Sequence, residues 1–138
     1  MFTLNCRGKI LTIERPLVMG ILNATPDSFY EGHLTKSADE VAGVVKKMVE
    51  DGADIIDVGG QSTRPGSERI NAKEEIKRVL PVIVLVKEKF PETVISIDTY
   101  SSEVATAAVN AGAAIINDIS SGDMDDRMLE TAAALQTP

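Results

Sequence analysis

The chain has 138 residues, which suits one ordinary domain and excludes a two-domain enzyme of usual size. With 43% hydrophobic and 25% charged residues, its composition is that of an average globular protein, not of a disordered or fibrous one. Fourteen basic against twenty-one acidic residues give a formal charge of -7, which excludes a nucleic-acid footprint or an anionic membrane surface as partner. Any anionic ligand must therefore be held by local cations or a metal.

Phe2 to Ile13 alternate around Arg7-Gly8-Lys9 and predict a β-hairpin. Cys6 is the only cysteine, so no intrachain disulfide framework or multi-cysteine zinc site can form, and a reducing, cytoplasmic compartment is expected. Four apolar runs follow: Leu17 to Leu22, Ile55 to Val58, Val94 to Ile97 and Ala113 to Ile116. Each is apolar at successive positions, which predicts parallel strands buried on both faces. The first run is too short to span a membrane and lacks the basic flank of a secretion signal.

Helical patterns separate these runs. Ser37 with Glu40 predicts a capping box, followed by Val41, Val44, Val45, Met48 and Val49 at helical spacing, with Gly52 as the terminating glycine. Ala72 to Lys89 predicts a second helix that Pro81 kinks or divides. A third is expected near Glu103 to Asn110, closed by Gly112, and an alanine-rich fourth from about Asp125. Strict strand–helix alternation argues for an α/β fold with right-handed crossovers. Two architectures fit: a doubly wound sheet, or part of a TIM (β/α)8 barrel, which needs about 250 residues when complete. We read the chain as a hairpin and about the first four βα units of a barrel, with a complete small α/β sandwich as the alternative that composition alone favours.

A polar residue lies late in or just after each apolar run: Asn23, Asp57, Asp98 and Asn117. Both architectures bind ligands at the carboxyl ends of their strands. Each residue alone could merely cap the next helix. Four in succession point to one acceptor-rich mouth suited to a ligand with several N–H donors. Two long loops border that mouth. The first, Asn23 to Lys36, carries Thr25-Pro26-Asp27-Ser28-Phe29-Tyr30, and the second, Gly59 to Ser67, reads Gly-Gly-Gln-Ser-Thr-Arg-Pro-Gly-Ser. The second offers glycines for close backbone approach, two adjacent hydroxyls and a guanidinium that can grip a phosphate through two N–H bonds. Arg64 read this way competes with an ordinary exposed charge. The lone His33, the Lys87-Glu88-Lys89 run and the charges from Asp123 to Arg127 read as solvated, and the five methionines as core filler.

These motifs carry a resemblance. Met19-Gly-Ile-Leu-Asn-Ala-Thr-Pro-Asp-Ser-Phe29 resembles the first signature of the dihydropteroate synthase family, and Asp54-Ile-Ile-Asp-Val-Gly-Gly-Gln-Ser-Thr-Arg-Pro-Gly66 resembles its second. Ile97-Asp98-Thr99 and Ile115-Ile116-Asn117-Asp118-Ile119 are similar to its third- and fourth-strand patterns. The resemblance implies a folate-pathway transferase on a pterin-binding barrel, of which residues 1–138 are the N-terminal part of a single domain. Such enzymes join 4-aminobenzoate to dihydropterin pyrophosphate, release pyrophosphate, use Mg2+, are targets of sulfonamides and are homodimers at full length. It further implies that Asp98 and Asn117 hold the pterin, that Asn23 is the metal-binding position, and that Thr63 and Arg64, with Ser62, contact the pyrophosphate and aminobenzoate region and carry the catalytic role. Asp27 and Phe29 fall on a first loop that closes over the site, and Asp57 on the lower pocket wall.

Gln61 departs from the usual Glu, Ala24 from a frequent Val, Ser101 from a commoner larger residue, and His33 stands where a glycine is frequent. The larger departure is that the family's remaining site residues and dimer helices come from later strands and helices, so residues 1–138 alone are expected to be inactive. Two other readings stay open: a half-barrel that at most binds pterin, and a folate-dependent methyltransferase on the same barrel.

Overall fold

The computed structural model describes residues 1–24, 38–61 and 69–138. Strands β1 (Phe2–Cys6) and β2 (Lys9–Ile13) form an antiparallel hairpin with Cys6 opposite Lys9. Its two-residue turn has Arg7 and Gly8 both at positive φ, the combination that matches the twist of the flanking strands. Arg7 donates to the carbonyl of Val109 and Lys9 to that of Glu92, so the hairpin is fastened beneath the rest of the molecule.

Four parallel strands then alternate with helices: β3 (Met19–Asn23), α1 (Ala38–Glu50), β4 (Ile55–Gly59), α2 (Ala72–Lys89), β5 (Val94–Asp98), α3 (Ser102–Ala111), β6 (Ile115–Asn117) and α4 (Met128–Leu135). Each strand ends one residue beyond its expected run, so that Asn23, Asp98 and Asn117 are the last residues of their strands, while β3 and β6 begin two residues late. Proposed caps on the neighbouring helices fall elsewhere. Asn71 caps α2 by accepting from the Glu74 N–H, and Ser101 caps α3 by accepting from that of Val104. The Ser37 capping box lies outside the described residues. Helix α2 is not divided at Pro81: it runs 18 residues unbroken, with Pro81 on its exposed side, where a missing N–H bond faces water.

Sheet order is β3-β4-β5-β6, each strand added beside its predecessor. Right-handed crossovers without a reversal of order send every helix to the same face. The core shows this directly. Leu22, Ile56, Val58, Ile95 and Ile97 pack with Val45, Val79, Ile83, Val86, Val104 and Ala108 of the helices. Fully burying each such side chain stabilises the fold by about 1.5–3 kcal/mol. Met19, Ile21, Ile55, Asp57, Val94 and Ser96, on the opposite face by strand alternation, take no part in that cluster. A doubly wound sheet has helices on both faces. This sheet is singly wound, the arrangement that closes into a barrel.

Burial on both faces holds for β4 but not for β3, where Met19 and Ile21 are exposed, Ile21 to 54%. The methionines are likewise divided: Met128 is buried and Met48 packs on the core, whereas Met1, Met19 and Met124 are exposed. No helix among the described residues is long and apolar enough to cross a membrane.

Candidate functional site

Parallel register aligns the strand ends. Asn23 lies opposite Gly59, Gly59 opposite Asp98, and Asp98 opposite Asn117, so the four form one row across the sheet. Two residues lower on the same face, Asp57 lies between Ile21 and Ser96. Three of the polar residues read from the sequence therefore converge, with Asn23 at the exposed end of the row.

Asp57 is only 2% exposed, and its Oδ2 accepts a 3.1 Å hydrogen bond from Nδ2 of Asn117. That bond fixes which end of the Asn117 amide donates and leaves its oxygen as an acceptor. Asp57 Oδ1 and Ser96 Oγ are enclosed without a partner among the described residues. Burial, followed by the charges of Asp57 and Asp118, pushes the Asp98 carboxyl above its ordinary range. The half-buried Asp98 and Asn117 and the buried Asp57 thus form a group rich in acceptors and short of donors among the described residues.

The glycines play a different part from the one their loop suggested. Asp98 Oδ2 lies 3.3 Å from where a Cβ on Gly59 would be, so Gly59 leaves room for the carboxylate. A Cβ on Gly60 would fall 2.8 Å from Val79 Cγ1 and 3.0 Å from Glu75 Cγ, so Gly60 is required for α2 to approach the sheet. Arg78 Nη1 reaches the Gly60 carbonyl at 3.3 Å. Ser62, Thr63 and Arg64, like Asp27, Phe29 and His33, lie outside the described residues. The roots of their loops are described: Ala24 donates its N–H to Gly59 at 2.7 Å, and Gln61 Oε1 accepts from the Ile70 N–H at 3.1 Å. Both long loops therefore leave from the same end of the sheet as the acceptor row.

Two acidic residues were given no role by the sequence. Asp118 accepts from the N–H and hydroxyl of Ser120 and from the Gly122 N–H, which folds the segment after β6. Its Asp-x-Ser spacing was the available signal. Asp125, expected among solvated charges, instead accepts from the Ser102 N–H at 2.8 Å at the start of α3. Hydrogen bonds from Ser102 lower its pKa from 3.8 to about 2. A cleft between the starts of α2 and α3, lined by Ile70, Glu75, Tyr100, Ser101 and Arg127, adjoins this cap and touches none of Asp57, Asp98 and Asn117.

Residues 19–138 match the family model described as "Pterin binding enzyme". The chain belongs to the pterin binding enzyme family. This chain is 50% identical over 125 residues to the dihydropteroate synthase of Clostridium beijerinckii, an alignment covering 91% of this chain and 46% of that protein. Among solved structures it is similar to Xanthomonas albilineans dihydropteroate synthase with 4-aminobenzoic acid, with TM-score 0.87, 42% identity, and coverage of 99% of this chain and 50% of that one. The same enzyme in complex with 7,8-dihydropteroate superposes with TM-score 0.82 at 39% identity, covering 99% and 48%. The chain thus spans about half the length of these relatives and supplies four of the eight βα units of a barrel.

Proposed function

We propose that the complete barrel to which these residues belong is a dihydropteroate synthase, joining 6-hydroxymethyl-7,8-dihydropterin pyrophosphate to 4-aminobenzoate with release of pyrophosphate. The observation that carries this reading is the in-register row of Asp98 and Asn117, with Asp57 buried beneath it. A pterin edge presents an amino group beside a ring N–H, and the Asp98 carboxylate can accept from both. Asn117, held by Asp57, offers its amide oxygen to the same edge. These contacts orient the exocyclic CH2–O bond toward the two loops.

There the aminobenzoate nitrogen attacks the CH2 carbon with its lone pair. The C–O bond breaks, pyrophosphate departs with the bonding electrons, and the amine releases a proton to solvent. The aromatic amine is neutral at physiological pH, so the reaction asks the protein for orientation and leaving-group stabilisation more than for a strong base. Arg64 and Thr63, with Ser62, are assigned to the pyrophosphate and aminobenzoate, and Asp27 and Phe29 to the loop over them. Asn23 offers a single hard oxygen at the exposed end of the row. That donor fits Mg2+, which keeps most of its ligands from water and substrate phosphates and would neutralise charge on the leaving pyrophosphate. We assign the enzyme to the cytoplasm, as a full-length homodimer.

The test is dihydropteroate formation by the full-length protein from both substrates with Mg2+. Product is expected from the wild type, and Asp98→Asn is expected to weaken pterin binding at least about a hundredfold. Absence of product from the folded wild type would overturn the assignment.

A further inference from the structure

Glu75 stands in the first turn of α2 and is 2% exposed, an unusual position for a carboxylate. Its Oε1 is enclosed without a partner among the described residues. Glu75 lines one cleft with Tyr100 and Ser101, the residues that follow Thr99, and the Thr99 hydroxyl favours the charged form of its carboxyl group. Thr99 is itself buried and follows Asp98 directly; its N–H is held by the Asn117 carbonyl at 3.1 Å, and its Oγ1 accepts from the Ser101 N–H at 3.2 Å. On its other side the Glu75 stem lies against Gly60, at the root of the loop carrying Ser62, Thr63 and Arg64. One side chain thus lies at the exits of β4 and β5 together.

Packing alone does not call for an acid here. A leucine or methionine would fill the space without enclosing a polar oxygen, and an enclosed oxygen with no donor costs stability. We propose that Glu75 is a positioning residue of the pterin site: through Thr99 it sets the end of β5 and with it the Asp98 carboxylate, and through Gly60 it sets the root of the pyrophosphate loop. The role rests on the pterin-binding reading above. Burial, with the nearby charge of Asp98, raises the Glu75 carboxyl above its ordinary range, against the Thr99 hydroxyl and the charge of Arg78. A carboxyl group beside a hydroxyl is closely imitated by glutamine, which keeps both the shape and an acceptor.

The experiment compares Glu75→Met, Glu75→Gln and Thr99→Val in the full-length enzyme. It measures thermal unfolding, binding of 6-hydroxymethylpterin by its fluorescence, and KM for each substrate. Glu75→Met is expected to stay folded while pterin binding weakens about tenfold, the effect of misplacing one hydrogen-bonded contact. Glu75→Gln is expected to restore most of that loss. Thr99→Val is expected to reproduce the Met phenotype, and the double variant to lose no more than either single one. Wild-type pterin affinity in Glu75→Met, or equal loss in the Gln and Met variants, overturns the role while leaving the site assignment intact. Should Glu75→Met not fold, unchanged affinity in Thr99→Val overturns it equally. If the wild type binds no pterin, the site assignment falls, and the positioning role falls with it.

Discussion

Asp98 shows how one carboxylate is tuned by its neighbours. It sits half-buried beside Asp57 and Asp118, and its proton affinity rises accordingly. A ligand bringing two N–H donors supplies what those neighbours do not. Replacing Asp98 by Asn keeps the size but turns one acceptor into a donor facing donors, so affinity for a pterin is expected to fall at least about a hundredfold, from two lost charge-assisted bonds. Calorimetric titration of the full-length protein checks this. Asp125 titrates in the opposite direction. Its lowered pKa means that its contribution to stability is fully present above 3.8 and disappears as pH falls toward about 2. Asp125→Ala should therefore cost about 1 kcal/mol at neutral pH, as a lost helix cap does. The difference from wild type should vanish in acid. Urea denaturation at several pH values reads both. A loss that persists unchanged at the acid end would refute the assignment.

At the scale of elements, glycine placement decides how closely α2 seats on the sheet. A methyl group on Gly60 meets Val79 and Glu75 inside 3.1 Å, and neither neighbour is a loose surface chain. Gly60→Ala is expected to destabilise by about 1–3 kcal/mol through overpacking, whereas the open Gly43 should accept alanine with no loss, or a small gain from helix propensity. Paired denaturation curves separate the two. Part of the element boundaries was legible because local chemistry sets them: Gly112 closes α3 at positive φ and Arg7-Gly8 turns the hairpin, whereas the Asn71 and Ser101 caps emerge only from the structure. The ends of the parallel strands were read one residue short because a polar residue at a strand end looks like a loop until its register partners are known. Asp125 was read as solvated for a related reason, since its partner Ser102 lies 23 residues away.

The whole molecule presents a parallel sheet with helices on one face and the other face only partly covered. Met19 and Ile21 are exposed there, and among the described residues β3 and β6 each have one neighbour in the sheet. Open edges and apolar surface of this kind promote association. A polypeptide of residues 1–138 alone is expected to self-associate, and Ile21→Lys to shift it toward monomer. Sedimentation at several concentrations is the check, and concentration-independent monomer would show that the open face is not sticky.

The strand–helix alternation, the hairpin, the α2 limits and the polar residues Asn23, Asp57, Asp98 and Asn117 are readable along the chain, because apolar periodicity and signature motifs are local information. That all helices lie on one face, that Asp57 holds Asn117, that Gly59 and Gly60 serve packing, and that Glu75 lies at two strand exits became visible only in three dimensions. Those facts depend on register and on contacts between residues distant in the chain, and such contacts leave no periodic trace in a single sequence.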